Sequence, residues 1–467
     1  MATRKKSTRG RLARAKLKPQ DWTLGLEVVH SQAAGIDVGS EEHWVAIPPS
    51  LDDYPVRSCG CFTEDLRGLV EWLKSRGITT VALQSTGVYW IPLYDLLEQS
   101  GIQVFLVNAR DTKNLPGRKT DIQECQWLLK LHVYGLLRNS FRPPEQVLKL
   151  RTYWRQRQQH IADAARCVQR MQKALTQMNL QLTHVLSDIT GASGQAILRA
   201  ILNGERNPQV LAQWREPNVK ASAEEVAKSL AGNWREDLLF VLQQEYDNYQ
   251  MFQKRIEECD RRLKAHYETA PSQADPKTLG PAPRNKRGHG NVPRLLDLRQ
   301  ELYRSSGGDL TAIDGINVLT AQTILAEVGA DMSSFATEAK FASYLGLCPN
   351  HKMSGGKVVG RDLRKTVSRA GLALRQAASS LLRSQSYLGA QYRRLRSKLG
   401  APKAMKAMAN RLARIIYRML KFGQAYIDKG QQFYDDKYRS QQIAMLHKKA
   451  AALGLQLTTA ASSSSMP

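Results

Sequence analysis

The sequence predicts an α/β domain at its N-terminal end, followed by a long helical middle and a mostly helical C-terminal domain. Three observations carry that expectation. Short apolar runs in the first third lie close together and then alternate with helical patterns, the order of a mixed sheet. From about 144 to 266, apolar residues recur at helical spacing among polar residues rich in Gln, as in Arg155-Gln-Arg-Gln-Gln159. A Pro/Gly/basic stretch then separates this middle from a second globular region.

Taken in order, Ala34-Gly-Ile-Asp-Val-Gly39 reads as a buried strand. A polar turn, Ser40-Glu41-Glu42, leads to a second strand at His43–Ile47, making a hairpin. A third strand is expected near Val56–Phe62. There follow a helix over about 63–76, a strand Thr79–Leu83, a helix Ile91–Gln99, a strand Ile102–Val107 and a helix from Asp121. Hairpin strands first, then alternating helices and strands, match an RNase H-like domain. The middle reads as long, partly coiled-coil-like helices with breaks near Gly191, Gly204 and Pro208. Such helices serve equally well as dimerisation arms or as an ordinary bundle. The expected divisions are a disordered basic arm (1–30), the α/β domain (31–143), the helical region (144–270), the linker (271–299), the C-terminal domain (300–450) and a disordered tail (451–467).

The 467 residues carry 68 Lys+Arg against 42 Asp+Glu, a formal charge of +26. An excess of that size points to a polyanionic partner, because each phosphate neutralised releases counterions. Its placement sharpens the point. Residues 1–18 hold eight basic residues and no acid, and Lys352 to Lys421 hold 18 Lys+Arg and one acid, Asp362. The six cysteines are scattered, with no zinc-finger spacing, and read as reduced cytosolic thiols. No apolar run approaches the ~20 residues needed to span a bilayer, and no apolar stretch backs the basic N-terminus as in a secretory signal.

Asp37 lies between Ile36 and Val38 in an apolar strand, where a carboxylate is costly to desolvate without a cationic partner. A divalent ion suits it, since Mg²⁺ takes hard oxygen ligands and needs few from protein; a cap on the turn at Gly39 is the plainer alternative. Thr120 and Gln123 form a capping box opening a helix, with Asp121 and Glu124 on one face of its first turn. Acids at a helix start also suit the macrodipole. Together with Asp37 they give an acidic strand and a paired-acid helix in the right order along an RNase H-like chain, where two metals could activate one oxygen and stabilise the departing one in phosphoryl transfer. A fourth ligand is expected where the Thr79–Leu83 strand ends, and Gln84 stands there with a carbonyl oxygen but no charge.

Further on, Ala312–Gly329 reads as helix, glycine turn, helix, a helix-hairpin-helix-like segment whose N–H groups at Gly315–Val318 can hold a phosphate. Ser354-Gly-Gly-Lys357, with Lys352 before it, reads as a flexible electropositive loop suited to a hydroxyl that attacks a phosphodiester. An ordinary turn serine gives the same spacing. Arg411, Arg414, Arg418 and Lys421 fall on one helical stripe for backbone contact.

Gly35-Ile-Asp-Val-Gly39, Ser85-Thr-Gly-Val-Tyr-Trp90, Val107-Asn-Ala-Arg110, Gly117-Arg-Lys-Thr-Asp121 and Tyr344-Leu-Gly-Leu-Cys-Pro349 with Ser354-Gly-Gly-Lys357 occur in that order over about 33–450. They closely resemble the insertion-sequence transposases related to the Piv DNA invertase, also called DEDD transposases and bridge-RNA-guided recombinases. The resemblance implies a RuvC-like domain holding Mg²⁺ (or Mn²⁺) with a D-E-D-D quartet, joined by a coiled coil to a transposase domain with a nucleophilic serine. It implies a dimer that becomes a tetramer on donor and target DNA, a structured non-coding guide RNA, and a covalent serine–DNA intermediate. Asp37 matches the first Asp of the quartet, Asp121 the third position and Ser354 the nucleophile. Gln84 stands where the family usually has Glu, and Glu124 where it usually has Asp. Arg118, Lys119, Lys352, Lys357, Arg361 and Arg364 join the basic stripe as expected nucleic-acid contacts. Two rival readings stay open on the sequence: a junction nuclease working with the metal cluster alone, and a non-catalytic nucleic-acid-binding protein whose site has decayed at Gln84.

Overall fold

A computed structural model describes residues 13–15, 25–108, 120–282, 290–363, 368–456 and 458; of 13–15, 350–352 and 361–363 it describes the backbone alone. The chain divides into two compact units, residues 1–142 and 143–467.

The first unit is built on a six-stranded sheet. Its strands are β1 (Ala13–Ala15), β2 (Ala33–Val38), β3 (Glu42–Ala46), β4 (Val56–Gly60), β5 (Thr80–Gln84) and β6 (Gln103–Val107), in the order β1-β4-β3-β2-β5-β6. β2, β3 and β4 are antiparallel neighbours, whereas β2, β5 and β6 run parallel. A hairpin meander continued by parallel crossovers is consistent with an RNase H-like domain. Among the described residues three helices cover the sheet: α1 (Thr63–Ser75), α2 (Trp90–Gln99) and α3 (Asp121–Val133). Alternation along each strand sorts the core into two layers. Ile36, Val38, Val45, Leu83 and Leu106 pack with Leu69, Leu73, Leu93 and Leu97 of α1 and α2. On the opposite face Ala33 and Ala46 meet Cys125 and Leu129 of α3, while Ala82 and Val107 meet its Leu128.

One expectation needs correcting. Ala13–Ala15 falls inside the stretch read as a disordered arm, yet it pairs antiparallel with β4 at Ala13↔Ser58 and Ala15↔Val56. The physical reason is that β4 would otherwise present an open edge of unpaired backbone groups. The rest of residues 1–24 lies outside the described residues.

A buried histidine makes this unit sensitive to acid. His132 of α3 is 1 % exposed, its Nε2 is 2.9 Å from Thr80 Oγ1, and its ring stacks on His30 and tilts against Phe105. Burial, with His30 adding to it, pushes the imidazole down to about 4. The unfolded chain takes up a proton near pH 6.5 that the folded chain refuses until about pH 4. Stability present above 6.5 is therefore lost as pH falls through that window, by up to about 3 kcal/mol. Chemical unfolding between pH 7 and 4 is expected to show this slope, and His132→Phe is expected to flatten it.

In the second unit, two long helices, α4 (Glu145–Gln177) and α6 (Glu236–Thr269), lie side by side. Arg157 pairs with Asp260 and Arg170 with Glu245, so partner numbers fall as residue numbers rise and the helices are antiparallel. The expected breaks lie in the segment between them. Gly191 caps α5 (Ala192–Leu202), Gly204 adopts φ +97°, and Pro208 opens a short helix. This segment folds back, burying Leu186, Ile197, Ile201 and Leu211 against Met171, Leu175 and Leu242.

Among the described residues the remainder of the unit is mostly helical, with one hairpin. It comprises α7 (Leu298–Ser306), α8 (Val318–Val328), α9 (Glu338–Tyr344), β7 (Pro349–Ser354), β8 (Lys357–Leu363), α10 (Arg369–Ser380), α11 (Tyr387–Leu399), α12 (Ala401–Phe422) and α13 (Gly430–Ala452). α12 is the central element, because Ala404, Met408, Leu412, Ile416 and Met419 form an apolar stripe at helical spacing. Among the described residues no helix is long and apolar enough to cross a membrane.

Candidate active site

The acidic face of the first unit depends on a glycine. Gly35 and Asp37 share the α3 side of β2, and a Cβ built on Gly35 would stand 2.2 Å from Leu129 N and 2.4 Å from Cys125 O. Only glycine lets the α3 backbone lie directly on the strand. One helical turn before Cys125 is Asp121, and two residues beyond Gly35 is Asp37, so the contact sets both acids on the same side. The Cys125 thiol registers this: burial pushes it up most, and the Asp37 carboxylate, followed by Asp121, pushes it further.

Gln84 belongs to the same face. β2 and β5 are parallel in the register Gly35↔Ala82 and Ile36↔Leu83, which sets Gln84 beside Asp37 on the adjacent strand. Its side chain is 7 % exposed. The opening of α3 follows the sequence reading closely: Gln123 N donates to Thr120 Oγ1 at 3.3 Å, and Thr120 N donates to Gln123 Oε1 at 3.4 Å. Glu124 is half-buried on this first turn. Among the described residues, however, no three of His, Cys, Asp and Glu stand together as a group that could hold a metal ion. The expected three-acid cluster is thus not gathered as a closed set; Asp37, Asp121 and the Gln84 amide define the face.

That donor set still fits a divalent ion. It consists of hard oxygens, and Mg²⁺ keeps several waters while taking only one or two carboxylates from protein. Asp37 and Asp121 would hold it, with Gln84 O as a neutral donor. We expect Gln84→Glu to melt at lower temperature in chelator, because it buries a carboxylate, and to recover with Mg²⁺. Half-maximal rescue should need about tenfold less Mg²⁺ than metal stabilisation of the native chain. A variant whose melting ignores Mg²⁺ would remove position 84 from the ligand set.

The serine lies in the second unit, and its setting differs from the flexible loop expected. Ser354 is the last residue of β7 and pairs with Lys357, the first of β8. Gly355 and Gly356 make the two-residue turn between them with φ +53° and +73°. Positive φ at both positions is the type I′ pattern, whose twist matches the strands it joins and which favours glycine. Ser354 and Lys357 are both exposed at the hairpin tip. Lys352 and Arg361 sit in β7 and β8 with their side chains outside the described residues; Arg118, Lys119 and Arg364 lie outside them altogether.

Two further expectations change. At the helix-hairpin-helix-like segment, Gly315 has φ +83° and its missing Cβ would meet Ala377 O at 2.6 Å, so the turn packs on α10. Ile316 N already donates to Ile313 O, and the Asn317 side chain caps α8 by accepting from Thr320 N at 2.8 Å. The N–H groups there are partly engaged within the chain instead of all facing outward to a phosphate. On α12, Arg414 and Arg418 both pair with Glu338 of α9, and Lys421 Nζ donates to Met332 O at 3.4 Å. The stripe therefore ties α12 to α9 as well as facing outward, a role that spacing along one helix cannot reveal. Sequence reading also passed over Gly35, whose signal was a lone glycine inside a buried strand.

The first unit thus presents a sheet face of oxygen donors, and the second an exposed serine at a hairpin tip. Residues 34–180 match the DEDD model of IS110 transposases, and residues 308–393 match the model described as transposase of the IS116/IS110/IS902 family. The chain belongs to the IS110-type DEDD transposases, enzymes that cut and rejoin DNA. No curated protein matches it.

Proposed function

We propose that this transposase exchanges DNA strands through a covalent intermediate on Ser354, assisted by a divalent ion at the Asp37–Asp121 face. The observation that carries the reading is the hairpin tip, where two glycines hold a serine hydroxyl exposed opposite a lysine. The Ser354 oxygen forms a bond to phosphorus as one P–O bond of the strand breaks, and the serine proton passes to solvent or base. The released hydroxyl end departs, and a hydroxyl of a second strand later reverses the step and frees the serine. One phosphodiester replaces another, so no external energy source is required. Lys357, paired with Ser354 across the turn, would offset charge growing on the phosphate oxygens. A metal bound at the acidic face would supply Lewis-acid stabilisation of that same charge.

The resemblance to guided family members supports an element-encoded RNA that pairs with donor and target DNA, and a dimer that becomes a tetramer when loaded. Assembly on the nucleic acid brings the serine and the acidic face to one scissile linkage. The test is to trap the protein–DNA adduct with element-end DNA and map the DNA-bearing residue by mass spectrometry, while sequencing RNA that co-purifies. Ser354 as the modified residue, with adduct lost in chelator, is expected. DNA on any other residue would remove Ser354 as the nucleophile, and metal-dependent cleavage with no adduct would instead identify the junction-nuclease chemistry.

A further inference from the structure

The second unit contains a cleft of about 380 Å³ bordered by the start of α11, the second half of α12, the 424–429 connection and the start of α13. Its walls mix aromatic and cationic side chains: Tyr387, Tyr426 and Phe433 with Arg411, Lys429 and Lys437. Phe433 is 44 % exposed, and Ile427 stands at the rim 77 % exposed. Lys429 Nζ lies 4.9 Å from the Phe433 ring centre. Arg418 also borders the cleft but is held by Glu338. The Asp428 carboxylate accepts from Tyr387 N at 3.0 Å and from Gly430 N at 3.2 Å, so backbone donors engage it.

The size falls within the range of pockets that enclose one small ligand group. The lining narrows the class. A purely apolar ligand would leave the cations desolvated without compensation, and an inorganic anion would make no use of the rings. Aromatic faces beside cations are what hold an unpaired base and its phosphate. A duplex cannot enter, because its bases are stacked within the helix. We propose that this cleft seats one unpaired nucleotide of a single strand, its base against Tyr426 and Phe433 and its phosphate on Arg411 and Lys437. The inference needs the chain to handle nucleic acid but neither the Ser354 chemistry nor the metal face, and its test involves no cleavage.

The full chain is irradiated with a thymidine oligonucleotide carrying one 4-thiothymidine, and separately with the uridine counterpart carrying 4-thiouridine; the modified peptides are then sequenced. Crosslinks at Tyr426 or Phe433 are expected, and the sugar that gives them identifies the strand as DNA or RNA. Crosslinks confined to other peptides in both arms overturn the proposal. In parallel, Phe433→Ala and Lys437→Gln are expected to weaken binding of the crosslinking single strand about tenfold, with duplex affinity within about twofold of native. Unchanged single-strand affinity, or an equal loss on duplex, also overturns it. The crosslinking is done on the native chain and stands even if Phe433→Ala disturbs α13.

Discussion

Ser354→Ala is expected to abolish the protein–DNA adduct and to lower strand exchange by on the order of a thousandfold or more, while DNA binding persists. The argument rests on position. The hydroxyl sits at an exposed hairpin tip, so its removal opens no cavity and should change stability by no more than about 0.5 kcal/mol. The turn is set by Gly355 and Gly356 and not by the serine, so the tip keeps its shape. A lost nucleophile is the one large consequence left. Native-level adduct from the alanine variant would sink the serine role outright, and matching thermal melts of the two proteins would exclude unfolding as the cause of a positive result.

The second large effect lies in the sheet. Gly35→Ala puts a methyl group against the α3 backbone, 2.2 Å from Leu129 N. Neither partner is a flexible side-chain end, so the helix must retreat. We expect a loss of about 3 kcal/mol and, since Asp121 moves with the helix, strand cleavage down roughly a hundredfold beyond what instability explains. Gly68 supplies the control. It is an exposed helical position with nothing within 4 Å of an added Cβ, so Gly68→Ala should stabilise by roughly 0.5–1 kcal/mol. Equal melting temperatures for the two alanine variants would refute the close-packing account.

How much of this was legible before any coordinates? The strands and helices of the first unit beyond β1 were, because the apolar run of β2 and the Thr120–Gln123 box are local signals. That a donor belongs where the Thr79–Leu83 strand ends was legible too, but the register that sets Gln84 beside Asp37 belongs to the paired strands. The limits were non-local. Whether Arg414 faces a phosphate or Glu338 depends on an acid 76 residues away, and no periodicity within α12 encodes it. Ser354 read as a loop because two glycines in a row suggest freedom, although paired strands turn the same dipeptide into a fixed corner. The aromatic cleft drew residues from three helices and a connection, none of them distinctive alone. In the helical middle, spacing gave the long helices but not their pairing.

That pairing carries a consequence of its own. Arg157 and Asp260 are 2 % and 4 % exposed where α4 and α6 meet, and Arg157 Nη1 also donates to Asn291 O at 2.7 Å. Sliding one helix past the other by a single turn would strand a guanidinium and a carboxylate in a nearly dry seam, a penalty of about 3–5 kcal/mol. The pair thus works as a ratchet pawl. The register of α4 against α6 is thereby tied to one charge pair, and each helix keeps the same residues facing its neighbour.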